Sequence, residues 1–368
     1  MTLHIFNPEH DIALAKNLSN FTAPHAGRQL RHDLGWLPVL FSHPSDLVLV
    51  DDVSYARKSF SDFVSKQITH CLKGRYREYA LGKIECLVER RSLRYQEISQ
   101  IMPWGWDVAL REQLRRSGCP ENLLPSDLQL AEIRRLSHRN VSHRLLATLC
   151  FEDVVGVAFE CTDVQEVESF VGHYGKVVLK APWSSSGRGL RFVDTDRSPL
   201  AMHAGWLGNL LASQGSVIVE PYYNKVKDFA MEFTAHADGH VSYDGLSLFH
   251  TKNGAYTGNI LATESAKVRM LAKYIPVTLL DLVRWEICSQ APSLLSGYTG
   301  PFGVDMMVVA GRDGFSLHPC VEINLRCTMG HVALALECWC NPDWDNEAIG
   351  VMRIDYSDHY LLKLTKIQ

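Results

Sequence analysis

Residues 303–326 constrain the fold of this chain more than any other stretch. The run GVDMMVV (303–309) is followed, past Asp313-Gly314, by HPCVEINLR (318–326). Val321, Ile323 and Leu325 alternate with Glu322, Asn324 and Arg326. That is the period of a strand with one face on a core and the other lining up a carboxylate, an amide and a guanidinium. Asp-Gly is a strong signal for a two-residue hairpin turn. With that turn Arg312 faces Phe315, and counting back places Asp305 directly opposite Glu322. Two carboxylates then stand ~5 Å apart on one face, beside the amide oxygen of Asn324. Like charges so close are costly unless a cation lies between them. Hard oxygen donors suit Mg2+, or Mn2+ in its place, a cation that takes its remaining ligands from water and substrate phosphates. The competing reading is an exposed polar face with Arg326 salt-bridged to its neighbours. A bulge at Pro319 would break the alignment.

A site of that kind needs phosphates, and KAPWSSSGRGL (180–190) is the place to look for them. KVVLK (176–180) reads as a strand ending in Lys180. Small residues after it let backbone N–H groups converge on an anion, and the serine hydroxyls add donors. A Walker loop does not match, because its lysine follows the glycines; a kinase glycine loop fails for the same reason. Taken alone, the stretch is also compatible with an ordinary serine-rich turn. Arg188 is either a charge donor to a transferring group or a surface residue.

The remainder of the 368 residues is enough for two or three domains. LHIF (3–6), LPVLF (37–41) and DLVLV (46–50) read as buried strands, and DIALAKNL as a helix, so a small α/β layer opens the chain. Residues 106–150 read as three helical pieces, broken at Gly118-Cys119-Pro120 and at Asn140, taken as an N-cap. SVIVEPYY (216–223) is a further strand. Asn7, Glu9 and Asp11 follow the first strand, where an open parallel sheet presents ligands; they bind substrate or serve as caps and turn residues. Trp104-Gly105-Trp106 suggests an interdomain core contact.

Charged residues are 21% and the net charge is -4, which argues against a nucleic-acid partner. No apolar run is long enough to span a membrane, and ten scattered cysteines without a C-x-x-C pair suggest a reduced, cytoplasmic protein.

A strand ending in lysine, a small-residue loop, a strand ending in glutamate and an Asp…Glu-x-Asn-x-Arg pair together resemble the ATP-grasp superfamily over roughly residues 130–335. The resemblance implies an ATP-grasp fold of α+β subdomains behind a small Rossmann-like α/β domain. The expected division is 1–125 for the first domain, 126–219 for the subdomain with the phosphate loop, and 220–368 for the subdomain with the metal site. It further implies that Lys180 contacts phosphate or the adenine side, and that Ser184, Ser185, Ser186 and Gly187 close over the β- and γ-phosphates. Glu220, Pro221, Tyr222 and Tyr223 would form the adenine hinge and Asp228 a ribose contact. Asp305, Glu322 and Asn324 would hold Mg2+, and Arg326 would steady the transferring phosphoryl group or a substrate carboxylate. One departure stands out. The family's first ATP lysine follows a Ser-Asp pair at a helix start, whereas this chain has Ser137-His138-Arg139, so Arg139 is either the phosphate ligand in its place or a solvated helix-start residue.

The resemblance implies an ADP-forming ligase in which ATP activates a carboxylate as an acyl phosphate for attack by an amine or a thiol. Lys180 and Arg326 would be its catalytic residues, and the helix start in CTMGHVAL (327–334) a carboxylate holder. A phosphotransferase on the same site and a non-catalytic nucleotide-binding protein are the alternatives. The oligomeric state is open, a homodimer included.

Overall fold

The computed structural model describes residues 1–68, 82–184, 189–252, 255–312, 314–340 and 349–367. The described strands form three sheets that follow one another along the chain. The first is parallel, in the order β3-β2-β1-β4, from β1 (Thr2–Ile5), β2 (Leu47–Val50), β3 (Leu87–Glu89) and β4 (Gln100–Pro103). The second is antiparallel, in the order β5-β8-β6-β7, from β5 (Phe159–Cys161), β6 (Lys176–Lys180), β7 (Leu190–Asp194) and β8 (Val217–Pro221). The third is antiparallel and seven-stranded, in the order β13-β12-β9-β10-β11-β14-β15. Its strands are β9 (Lys225–Ala235), β10 (Val241–Lys252), β11 (Ala255–Leu261), β12 (Gly300–Ala310), β13 (Phe315–Asn324), β14 (Ile349–Tyr356) and β15 (Tyr360–Ile367). The expected small α/β layer followed by α+β layers is therefore the observed architecture.

Among the described residues the α-helices are α1 (His10–Lys16), α2 (His25–Leu34), α3 (Val53–Phe63), α4 (Val108–Arg116), α5 (Asp127–Leu136), α6 (Arg139–Leu146), α7 (Val164–Tyr174), α8 (Ala204–Gln214), α9 (Glu264–Leu271), α10 (Val277–Leu294) and α11 (Met329–Cys340). Local chemistry sets their starts. The Asp107 carboxylate accepts from the N–H groups of Ala109 and Leu110 to open α4, and Ser126 with Gln129 forms a reciprocal capping box on α5.

Three local expectations are corrected. Leu37–Leu40 is a 3-10 turn rather than a strand. All four residues are buried, so the run has no period to read, and Pro38 in the first turn fits a helix start where its missing N–H costs nothing. The cap of α6 is His138, whose ring accepts from the Asn140 N–H; Asn140 is already inside the helix. At the β12–β13 turn Phe315 pairs with Ala310 rather than Arg312, and the Gly311 N–H donates to the Gly314 carbonyl at 2.8 Å. Asp313 lies outside the described residues.

The largest core packs α6 and α10 against the seven-stranded sheet through Val141, Leu145, Phe229, Phe233, Val283 and Val304. A second core does not respect the sheet boundaries. Phe6, Trp36 and Phe60 of the first layer pack with Leu261, Val332, Leu336 and Met352 of the last. Trp104 belongs to this junction, as expected; it meets Phe6 edge-on at 4.9 Å, and its carbonyl accepts from the Cys327 N–H at 2.9 Å.

Candidate functional site

Cross-strand pairing arranges one face of the third sheet in rows. Asn324, Gly303 and Glu232 form one row, and Glu322, Asp305 and Ala230 the next. Met307 and Asp228 follow. Successive rows are two residues apart, so these side chains share a face. Asp305 is thus opposite Glu322, as the sequence suggested, but by another route. The longer turn shifts the register, and an irregularity between Asp305 and Met307, opposite Pro319, shifts it back. The bulge expected to break the alignment is what restores it.

The electrostatics of the face follow from this packing. Burial, with the Glu322 and Glu232 carboxylates nearby, pushes the Asp305 carboxyl up to about 8. The Asn324 amide donates to Asp305 at 3.1 Å, and the Asn324 oxygen accepts from Arg326 at 3.0 Å. A carboxyl that holds its proton near neutral pH because other carboxylates crowd it is a site that a divalent cation would relieve. Two carboxylates and an amide oxygen are hard donors of the kind Mg2+ takes. The donor set therefore fits the metal.

The second sheet supplies cations opposite. Lys180, buried at the end of β6, reaches Glu220 on β8 at 2.6 Å and donates to the Val321 carbonyl of β13 at 3.3 Å. Arg139 opens α6 and is buried as well. It contacts Glu322 at 2.6 Å, the Ala181 carbonyl at 2.8 Å and the Ser184 hydroxyl at 3.1 Å. One guanidinium thus ties the base of the serine loop to the candidate metal-binding face. Ser185, Ser186, Gly187 and Arg188 lie outside the described residues.

At the expected hinge, the Tyr222 N–H donates to the Lys176 carbonyl and the Tyr223 carbonyl accepts from the Lys225 N–H. Tyr222 is exposed; Tyr223 packs edge-on against His318 at 5.4 Å, and burial pushes its hydroxyl up to about 12. Pro221 ends β8 opposite Val177. Asp228 lies on the Asp305 face, held by Lys225 at 2.7 Å and Thr251 at 2.6 Å.

Arg326 has a partner that sequence reasoning missed. Asp11, in the first turn of α1, takes three of its hydrogen bonds at 2.9–3.1 Å. Burial alone would raise the Asp11 carboxyl, but Arg326 outweighs it and holds Asp11 below the usual aspartate range. Of the other first-loop residues, Asn7 donates to the Gly105 carbonyl at 2.8 Å and Glu9 pairs with Arg31.

Glu232 and His331 were also missed. Glu232 is buried on β9, with its carboxylate 3.0 Å from the Thr328 hydroxyl and 3.2 Å from His331 Nδ1. Burial pushes this carboxyl up against the opposing pull of His331. Gly303 and Gly330 leave room for it, since a Cβ at either would overlap the carboxylate. The signal was present in FAMEFTA: a lone acid inside a strand that is otherwise apolar. The helix start in CTMGHVAL is real, but Thr328 caps it, accepting from the N–H groups of Gly330 and His331 at 3.0 and 3.3 Å.

No family model matches the chain, and no curated protein does either. Solved structures do. N5-carboxyaminoimidazole synthetase from Staphylococcus aureus aligns at 11% identity and TM-score 0.47, over 96% of this chain and 82% of that one. A biotin carboxylase from Campylobacter jejuni, in a β-γ-ATP complex, aligns at 15% identity and TM-score 0.48, over 85% and 77%. The biotin carboxylase domain of Hydrogenobacter thermophilus 2-oxoglutarate carboxylase, with MgADP, ADP and bicarbonate, aligns at 15% identity and TM-score 0.47 over 70% of this chain. This chain spans 58% of that domain's length. Among the described residues, no helix is long and apolar enough to cross a membrane.

Proposed function

We propose that this chain is an ATP-dependent, ADP-forming ligase of the ATP-grasp type, activating a substrate carboxylate for attack by an amine. The observation that carries the reading is the row of Asp305, Glu322 and Asn324 with Arg139 of α6 on Glu322 and Lys180 of the second sheet at the neighbouring Val321 carbonyl. Acid donors on one wall and fixed cations on the other are what a nucleotide triphosphate with its metal requires.

In this reading the adenine lies at the strand end after Glu220, read by the Tyr222 carbonyl and the Tyr223 N–H, since their other backbone groups are already paired. Asp228 takes the ribose by exchanging its contacts with Lys225 and Thr251. Lys180 and Arg139 hold phosphate oxygens, the latter by giving up Glu322. Ser184, whose hydroxyl already meets Arg139, adds a donor to the phosphates, and Ser185, Ser186 and Gly187 are the further candidate phosphate contacts. Asp305, Glu322 and Asn324 hold Mg2+, or Mn2+, which when bound would neutralise charge on the β- and γ-phosphates. Arg326, kept rigid by Asp11, is placed to stabilise charge on the acyl group. Catalysis in such a site is positioning and electrostatics.

ADP release from Mg-ATP over a panel of amino acids and small carboxylates, with and without an amine, tests the reading. Turnover should depend on both substrates, and Asp305→Asn or Glu322→Gln should lower it about 100-fold or more, the scale of lost charge stabilisation at a reacting centre. Wild-type turnover in both variants would sink the metal assignment. A stable phosphorylated product formed without an amine would turn the reading towards a phosphotransferase.

A further inference from the structure

A cavity of about 340 Å3 opens between the first layer and the start of α11. That volume is at the lower end of small-molecule pockets. Ile5, Phe41, Met102 and Trp104 line one wall, and Leu334 and Ala335 the other. Cys327 is also there, so the cavity lining includes the residue that follows Arg326 in the chain.

Its polar end is acidic. Asp244 and His331 both line it, with His331 Nε2 3.7 Å from the Asp244 carboxylate. Behind His331, the buried Glu232 carboxylate sits 3.2 Å from Nδ1. Two carboxylates thus share one imidazole. Two acids against a single imidazole give this end of the cavity its acidic lining. Arg326 is engaged by Asp11 at 2.9 Å. His4 on the far wall is engaged by Asp46 at 3.1 Å, and burial holds its ring below the usual histidine range.

We propose that this cavity is the acceptor pocket of the ligase and that it takes a primary amine with an apolar, aromatic-sized body. The ammonium group lies at Asp244 and His331, and the body rests against Trp104, Met102 and Leu334. This assignment rests on the ligase reading only for the amine's role as nucleophile. The preference for an apolar cation follows from the cavity itself, because an ammonium ion suits the Asp244–His331 end and a hydrocarbon body suits the walls.

Calorimetric titration of the full chain with benzylamine, benzyl alcohol and methylamine separates the two contributions. Benzylamine should bind at least tenfold more tightly than either of the others. Asp244→Asn should remove its advantage over benzyl alcohol. Leu334→Trp and Ala335→Trp, two independent ways of filling the cavity, should each weaken benzylamine at least tenfold while Mg-ATP still binds. The proposal is overturned if wild-type protein shows no preference for benzylamine, if Asp244→Asn keeps the preference, or if both tryptophan variants bind benzylamine normally. Loss of Mg-ATP binding in wild-type protein that still takes benzylamine with this preference would uphold the pocket and overturn the ligase reading.

Discussion

Asp305 shows how much chemistry one residue draws from its row. Its carboxyl is pushed up to about 8 by burial and by the Glu322 and Glu232 carboxylates. The raised value means that the folded chain keeps a proton that the unfolded chain releases near the ordinary aspartate value. The stability this contributes is full below that value and is lost as pH rises towards about 8. A metal ion bound at the same oxygens must displace the proton, so its affinity rises with pH across the same window and levels off above it. Titrating the chain with Mg2+ in buffers of different protonation enthalpy should show close to one proton released per ion at pH 6.5 and almost none at pH 9. Equal proton release at both values would remove Asp305 from the site. The acid itself was legible in the sequence. Its raised pKa was legible only in part: the Glu322 pairing could be read, but the burial that dominates the shift and the approach of Glu232, from a strand more than seventy residues upstream, could not.

Hairpins and helix starts are only partly legible, and the reasons are specific. Alternation in VEINLR gave the face correctly, because a period of two survives any shift by two residues. Turn length and bulge were invisible in it, and they compensate each other around Pro319. LPVLF failed as a strand because its first four residues are all buried and offer no polar face to mark a period. The start of α11 depends on a different local device. Thr328 caps it while also donating to Glu232, and Gly330 is small because that carboxylate passes beside it. Gly330→Ala should therefore destabilise the chain by about 1–3 kcal/mol, the usual cost of overpacking, lowering its denaturation midpoint. Adding Glu232→Ala should recover part of that loss, since it removes the atoms in conflict. A double variant no more stable than Gly330→Ala alone would show that the glycine answers to something else.

At the scale of the molecule, the first layer closes the site rather than merely preceding it. The second core joins Phe6 and Trp36 to Val332 and Met352, so α11 is packed from both sides. The Asp11–Arg326 pair crosses the same junction, between residues 315 positions apart. Nothing in local composition links those two positions, and sequence reading left Asp11 among substrate ligands or caps. Removing one partner of a half-buried pair leaves the other short of hydrogen bonds; for Asp11→Ala the expected cost is about 2 kcal/mol. The functional consequence should be more selective than the loss of stability. Arg326 would lose its fixed orientation while Lys180, Arg139 and the hinge stay in place, so turnover should fall about tenfold or more with ATP affinity nearly unchanged. Asp11→Glu should restore part of the rate by keeping the charge. Pairing Asp11→Ala with Arg326→Ala should cost less than the sum of the two, the mark of a direct coupling. Additive losses, or an equal fall in ATP affinity, would show instead that Asp11 supports the fold without positioning the arginine.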